Sequence, residues 1–286
     1  MGSLTIEPVH ATLGAVVTGV RLADLHDGTW ADIEAAFHEH AVLVFPGQHL
    51  TSAQQTVFGC RFGALENIGG KPGYTPITNQ LKDGALRDPG DAVMAILKGN
   101  EGWHTDSSYM PLAAKASMLS AHVVPRMGGT TEWADMRAAY DALSEEMKAT
   151  IANLSASHSI AYAQRRVGLE PSAGFYGFDV AVPPRRPLVK IHPATGWPAL
   201  FIGRHAYGVE GMSEAESEAF LDGLVEIACQ APRVYAHVWQ VGDLVVWDNR
   251  CVLHRARPWD LREPRSMLHT RISGDPATES ALACFS

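Results

Sequence analysis

Two side chains able to bind a metal stand two positions apart in Glu101-Gly-Trp-His-Thr-Asp106: His104 and Asp106. In an extended segment residues i and i+2 share a face, so an imidazole and a carboxylate there can converge on one point. His254, in Val245-Val-Trp-Asp-Asn-Arg-Cys-Val-Leu-His254, offers a third donor, with His237 and His269 as its rivals. Two imidazoles and one carboxylate on one face of an octahedron leave three positions open, the ligand set of non-haem Fe(II) oxygenases. A zinc hydrolase can use the same donors. His-x-Asp alone decides nothing, because a chain with 13 histidines holds one about once by chance.

The context separates these readings. Arg265 opens Arg265-Ser-Met-Leu-His-Thr-Arg-Ile272, a short run that reads as the closing strand of a sheet. An arginine there can hold the far carboxylate of an acidic cosubstrate through a bidentate pair, for which a zinc hydrolase has no use.

With 46% hydrophobic and 19% charged residues, the 286-residue chain can bury a sizeable core. A net charge of -8 without any basic block argues against nucleic acid and for small-molecule partners. Cys60, Cys229, Cys251 and Cys284 have no paired spacing, so they read as free thiols in a reducing compartment. Met-Gly-Ser-Leu-Thr-Ile6 has neither the basic and apolar parts of a signal peptide nor the serine or threonine that myristoylation needs at position 6. No apolar run is long enough for a membrane span. A cytoplasmic homo-oligomer without membrane contact is expected.

The elements that must position these residues follow from patterning. Residues 4–25 read as two short strands about Thr12-Leu-Gly14, and Trp30, Ile33, Ala36 and Phe37 predict a helix over 29–40. Ala41 to Phe45 is a buried strand stopped by Pro46-Gly47, and Thr51 or Ser52 caps the next helix. Two Gly- and Pro-rich stretches, 66–100 and 164–187, read as loops or lids. Strands follow at 115–124, 188–191, 199–202, 234–238, 244–247 and 265–272, with helical segments over 135–152 and after Ser213. Without repeat or linker, the expectation is one domain over 1–286, mainly β with helical additions (α+β): a double-stranded β-helix, or cupin-like jelly roll.

Several runs then fit one known family. Ala41-Val-Leu-Val-Phe-Pro-Gly-Gln-His-Leu50, Trp103-His-Thr-Asp106, Gly128-Gly-Thr-Thr131, Asp135-Met136, His192-Pro-Ala-Thr-Gly196 and Gly242-Asp-Leu-Val-Val-Trp-Asp-Asn-Arg-Cys-Val-Leu-His254 with Arg265 keep the order and spacing of a family pattern. The chain resembles the TauD/TfdA family of Fe(II)- and 2-oxoglutarate-dependent dioxygenases. Within it, Ile202-Gly-Arg-His-Ala206 and Ala228-Cys-Gln-Ala-Pro-Arg233 look most like the aryloxyalkanoate, (S)-phenoxypropionate, dioxygenases.

The resemblance implies His104, Asp106 and His254 as iron ligands, Arg265 as the arginine for the distal carboxylate of 2-oxoglutarate, and Thr131 as its helper. The family's taurine enzyme carries a second arginine four residues after the first; here that position is His269. Period two puts Arg265, Met267, His269 and Arg271 on one strand face, so Arg271 can replace it as anchor for a substrate carboxylate. His205 can line the pocket or satisfy a backbone carbonyl, and Trp247 packs beneath the metal. Thr131 is also ordinary turn chemistry in its Gly-Gly setting, and Arg271 an ordinary surface charge.

The implied chemistry uses Fe(II), 2-oxoglutarate and O2, with ascorbate as reductant in vitro. Oxidative decarboxylation gives succinate, CO2 and the oxidising equivalent. Hydroxylation of the carbon between ether oxygen and carboxylate makes an unstable adduct that collapses to a phenol and a 2-oxo acid. The alternative within the family is another small acid: a sulfonate such as taurine, an alkyl sulfate or a modified amino acid. A cupin-like binding protein that had lost catalysis would lack a ligand or the cosubstrate arginine, and neither is missing.

Overall fold

The computed structural model describes residues 3–68, 71–168, 177 and 180–282. Two sheets, antiparallel but for one strand pair, face each other. The larger runs, in spatial order, Thr5–Pro8, Ala15–Thr18, Val42–Phe45, Leu244–Asp248, Ala114–Val123, Ser266–Ser273 and Thr75–Thr78; the smaller is Val234–His237, Thr131–Asp135 and Val252–Ala256. Only the contact between Ala15–Thr18 and Val42–Phe45 is parallel among these pairs. The interleaved order places strands from both ends of the chain side by side, as in the expected double-sheet jelly roll.

The unbroken apolar runs at 42–45 and 244–247 are explained by burial on both faces. Val42, Val44, Val245 and Trp247 point into the space between the sheets, where Trp247 meets Trp133 of the smaller sheet with ring centroids 5.7 Å apart. Leu43, Phe45, Leu244 and Val246 point the other way, covered by Ile33 and Phe37 of helix Asp27–His40 and by Phe58 of helix Ser52–Gly59. A side-chain period of two thus splits one apolar stretch between two cores. Each fully buried large side chain contributes about 1.5–3 kcal/mol of transfer free energy.

Thr51 caps its helix in a complete capping box with Gln54, and Ser213 does the same with Glu216. The helical region after Asp135 is two helices, Met136–Asp141 and Glu145–Ile151, because Ser144 caps the second. The segment 66–100 is more ordered than the sequence suggests: Thr75–Thr78 pairs with the closing strand, and Ala92–Gly99 is a helix capped by Asp91. In the second expected lid, residues 169–176, 178 and 179 lie outside the described residues; Arg185–Pro187 is a strand. His104 and Asp106 also differ from expectation, lying in a turn that touches the sheet by a single bridge, His104 to His254.

Candidate active site

That bridge brings two of the expected ligands together. His104 and His254 are directly opposed, with ring centroids 4.2 Å apart. His254 comes from strand Val252–Ala256, opposite Trp133 in register. Asp106 arrives from the turn, where Ser107 takes φ 54, a left-handed conformation uncommon for any residue but glycine. Donor atoms of His104, Asp106 and His254 all lie within 4.8 Å of one another, and all three residues are buried.

Protonation suits a cation. His104 Nδ1 lies 2.7 Å from Gly102 O, an acceptor only, so Nδ1 carries the hydrogen and Nε2 keeps its lone pair. Burial pushes His104 down to about 4, and burial with the neighbouring His104 pushes His254 well below its ordinary value. Burial works against ionising Asp106, but the Arg271 guanidinium, with His269 and His254, holds its carboxyl well below the usual range. Two neutral imidazoles and one carboxylate facing a cavity fit an octahedral Fe(II) with open positions.

The cavity measures about 410 Å³ and is walled by apolar side chains, among them Ile77, Val93, Ile96, Leu97 and Leu119. Strand Thr75–Thr78 and helix Ala92–Gly99 supply four of these, so the segment expected as a lid is a wall of the site. A larger cavity beside it, about 580 Å³, shares Tyr109 but holds none of the three donors.

Arg265 lines the cavity, 3% exposed, with its backbone N–H donating to Asn79 Oδ1. Among the described residues its only side-chain hydrogen bond is a long one of 3.4 Å to Gly129 O and its Nε has none, and burial alone pulls its pKa down to about 10. Gly129 makes room for it: a Cβ there would lie 3.3 Å from Arg265 Nε. Thr131 Oγ1 accepts from Trp239 Nε1 at 2.9 Å, which leaves the hydroxyl hydrogen for an acceptor in the cavity.

Arg271, expected as a substrate anchor, also borders the cavity, but its Nη2 stands 3.3 Å from Asp106 Oδ1 and its Nη1 donates to Ser107 Oγ and Tyr109 Oη. His269 stacks on Trp247 and sits 3.3 Å from Asp106 Oδ2. His205 lines the cavity and pairs with Ser108 Oγ, and among the described residues with no backbone carbonyl; burial holds it neutral.

Sequence reasoning gave Arg204 no role. Its guanidinium lines the same cavity with no side-chain hydrogen bond or ion pair among the described residues, and burial lowers it to about 10. A Cβ at Gly99 would lie 2.8 Å from Arg204 Nη1 and one at Gly102 2.9 Å from Arg204 Cδ, so two glycines make room for this side chain. The available signal was an arginine set in the apolar run Phe201-Ile-Gly-Arg204, a buried charge in want of a partner.

A second buried group, His192, Asp248 and Cys251, has its donors engaged. His192 Nδ1 accepts from two backbone N–H groups, so Nε2 donates to Asp248, which also takes Arg250; burial pushes the Cys251 thiol well up.

Fold and site together define an Fe(II)- and 2-oxoglutarate-dependent oxygenase. The family model for the taurine catabolism dioxygenase TauD, TfdA family, matches residues 5–271, and the chain belongs to that family. It is 53% identical to an (S)-phenoxypropionate/alpha-ketoglutarate-dioxygenase of Delftia acidovorans, covering 98% of both chains. It is 40% identical to the alpha-ketoglutarate-dependent 2,4-dichlorophenoxyacetate dioxygenase of Cupriavidus pinatubonensis, covering 93% of this chain and 96% of the other. Among solved structures, AAD-2 in complex with Mn(II) and N-oxalylglycine superposes with TM-score 0.89 at 36% identity, covering 99% of this chain and 100% of that one. The enzyme therefore uses Fe(II), 2-oxoglutarate and O2.

Proposed function

We propose that the enzyme oxidises the carbon between ether oxygen and carboxylate of an aryloxyalkanoate of the (S)-2-phenoxypropionate type. One observation carries this reading: two guanidiniums without a carboxylate partner among the described residues, the buried Arg265 and the half-buried Arg204, line one largely apolar cavity that also holds His104, Asp106 and His254. Two unsatisfied cations call for two carboxylates, one from the cosubstrate and one from the substrate. The apolar wall suits an aryl group.

In this reading His104, Asp106 and His254 hold the iron, and Arg265 with Thr131 holds the distal carboxylate of 2-oxoglutarate. Arg271 is committed to Asp106, so the substrate carboxylate goes to Arg204, beside His205. Iron with 2-oxoglutarate and O2 supplies the oxidising equivalent. The chain orients the target C–H bond through the carboxylate at Arg204 and the aryl group between Val93, Ile96 and Ile77, and it excludes water. One 2-phenoxypropionate, one 2-oxoglutarate and one O2 then leave as phenol, pyruvate, succinate and CO2.

No described helix is long and apolar enough to cross a membrane. Unpaired Cys60, Cys229 and Cys251 support a reducing cytoplasmic compartment.

The test is phenol release from purified enzyme with Fe(II), ascorbate, O2 and each enantiomer, with and without 2-oxoglutarate, following succinate in parallel. Cosubstrate-dependent phenol from one enantiomer is expected. Succinate without phenol would keep the oxygenase and reject the aryloxyalkanoate.

A further inference from the structure

Asp106 is held from two sides by one amide. Asn249, 1% exposed, sits just after strand Leu244–Asp248. Its Oδ1 accepts from Trp247 Nε1 at 3.0 Å and from the backbone N–H of Asp106 at 3.3 Å. Both are donors only, which fixes which end of the amide is oxygen and turns Nδ2 the other way. Nδ2 donates to Ser117 Oγ at 2.8 Å, and Ser117 Oγ donates to Asp106 Oδ2 at 2.7 Å. Because the serine oxygen receives the amide hydrogen, its own hydrogen is directed at the carboxylate.

The geometry points to Asn249 and Ser117 as positioning residues that set the orientation of the Asp106 carboxylate for the metal, a role that rests on the reading of Asp106 as an iron ligand. The relay is closed and uncharged. Ser117 lies on strand Ala114–Val123 and Asn249 next to its neighbour, whose register pairs Trp247 with Ser117. The turn carrying Asn249 is braced by Asp248, which accepts from Arg250 and His192. Asp106 lies in a turn without strand pairing of its own, so this amide ties it to the large sheet. Partners that orient a metal ligand typically carry about 10- to 100-fold of the metal affinity.

The experiment is Mn(II) titration of the metal-free full chain, read by EPR, for wild type, Ser117→Ala, Asn249→Ala and the double variant, with Tm alongside. We expect Mn(II) affinity to fall about tenfold in Ser117→Ala and up to about 100-fold in Asn249→Ala, with the double variant no weaker than Asn249→Ala because the two residues act in series. Unchanged affinity in Ser117→Ala, which removes a single oxygen and keeps the fold if Asn249→Ala does not, would overturn the relay, whatever happens to Tm. Fully additive losses would overturn it as well. Wild type that takes up no Mn(II) would instead remove Asp106, His104 and His254 from the metal site.

Discussion

His104 and His254 exchange both backbone hydrogen bonds, N to O at 3.0 Å in one direction and 2.7 Å in the other. Side chains opposed in this way sit about 5.5 Å apart at Cα, which is why two imidazoles from distant parts of the chain converge without any help from local sequence. The bridge does for the histidines what Asn249 and Ser117 do for the aspartate.

Asp106→Ala leaves two imidazoles and removes the one anionic donor. Mn(II) binding and 2-oxoglutarate-dependent turnover should both be lost. Retained turnover would take Asp106 out of the site.

Arg265→Gln should raise the KM for 2-oxoglutarate by about 10- to 100-fold, since a hydrogen bond to a charged group is worth about 1.5–3 kcal/mol and each 1.4 kcal/mol is about tenfold. Thr131→Val removes one hydroxyl and should cost less, about tenfold or under. Steady-state kinetics at saturating aryloxyalkanoate reads both, and an unchanged KM in Arg265→Gln rejects the assignment.

Gly99→Ala places a methyl 2.8 Å from Arg204 Nη1, so the guanidinium must leave its slot. The KM for (S)-2-phenoxypropionate should rise about tenfold with that for 2-oxoglutarate unchanged, and Arg204→Gln should do more in the same direction. Equal rises in both constants would show a general distortion instead of a lost anchor.

Acid should destabilise the protein through His158. It is buried, neither ring nitrogen has a hydrogen-bond partner among the described residues, and burial pushes its pKa down to about 3. The unfolded chain binds a proton near pH 6.5 that the folded chain refuses until about 3, so the contribution is intact above 6.5 and is lost as pH falls through that window. The loss is about 1.4 kcal/mol per unit. His158→Phe should flatten the fall of Tm between pH 7 and 5, and a parallel fall in both proteins would place the acid sensitivity elsewhere.

Legibility from sequence divides along physical lines. The two-faced strands at 42–45 and 244–247 were legible because unbroken apolar runs bounded by Pro46-Gly47 and Gly242-Asp243 have few other uses. His104, Asp106 and His254 were legible as a set, but through the wrong local geometry, since a turn with Ser107 at positive φ replaces the expected strand end. The segment 66–100 was misread because its strand contains Pro76 and its helix Ala92–Gly99 is only two turns long among Gly, Pro and Asp. Neither shows a period long enough to count. Arg204 and Asn249 escaped because their parts depend on what they face: an empty slot beside Gly99 for one, a serine on the neighbouring strand for the other.

The pairing of His104 with His254 also sets an order of events in the life of the molecule. About half the chain separates Asp106 from His254, so a nascent polypeptide still short of position 254 carries only two of the three proposed donors. Strand Val252–Ala256 can face Trp133 only after the smaller sheet has assembled. The complete set of three proposed donors therefore cannot form before strand Val252–Ala256 has been made and paired: a half-made chain offers passing copper or zinc only part of the nest.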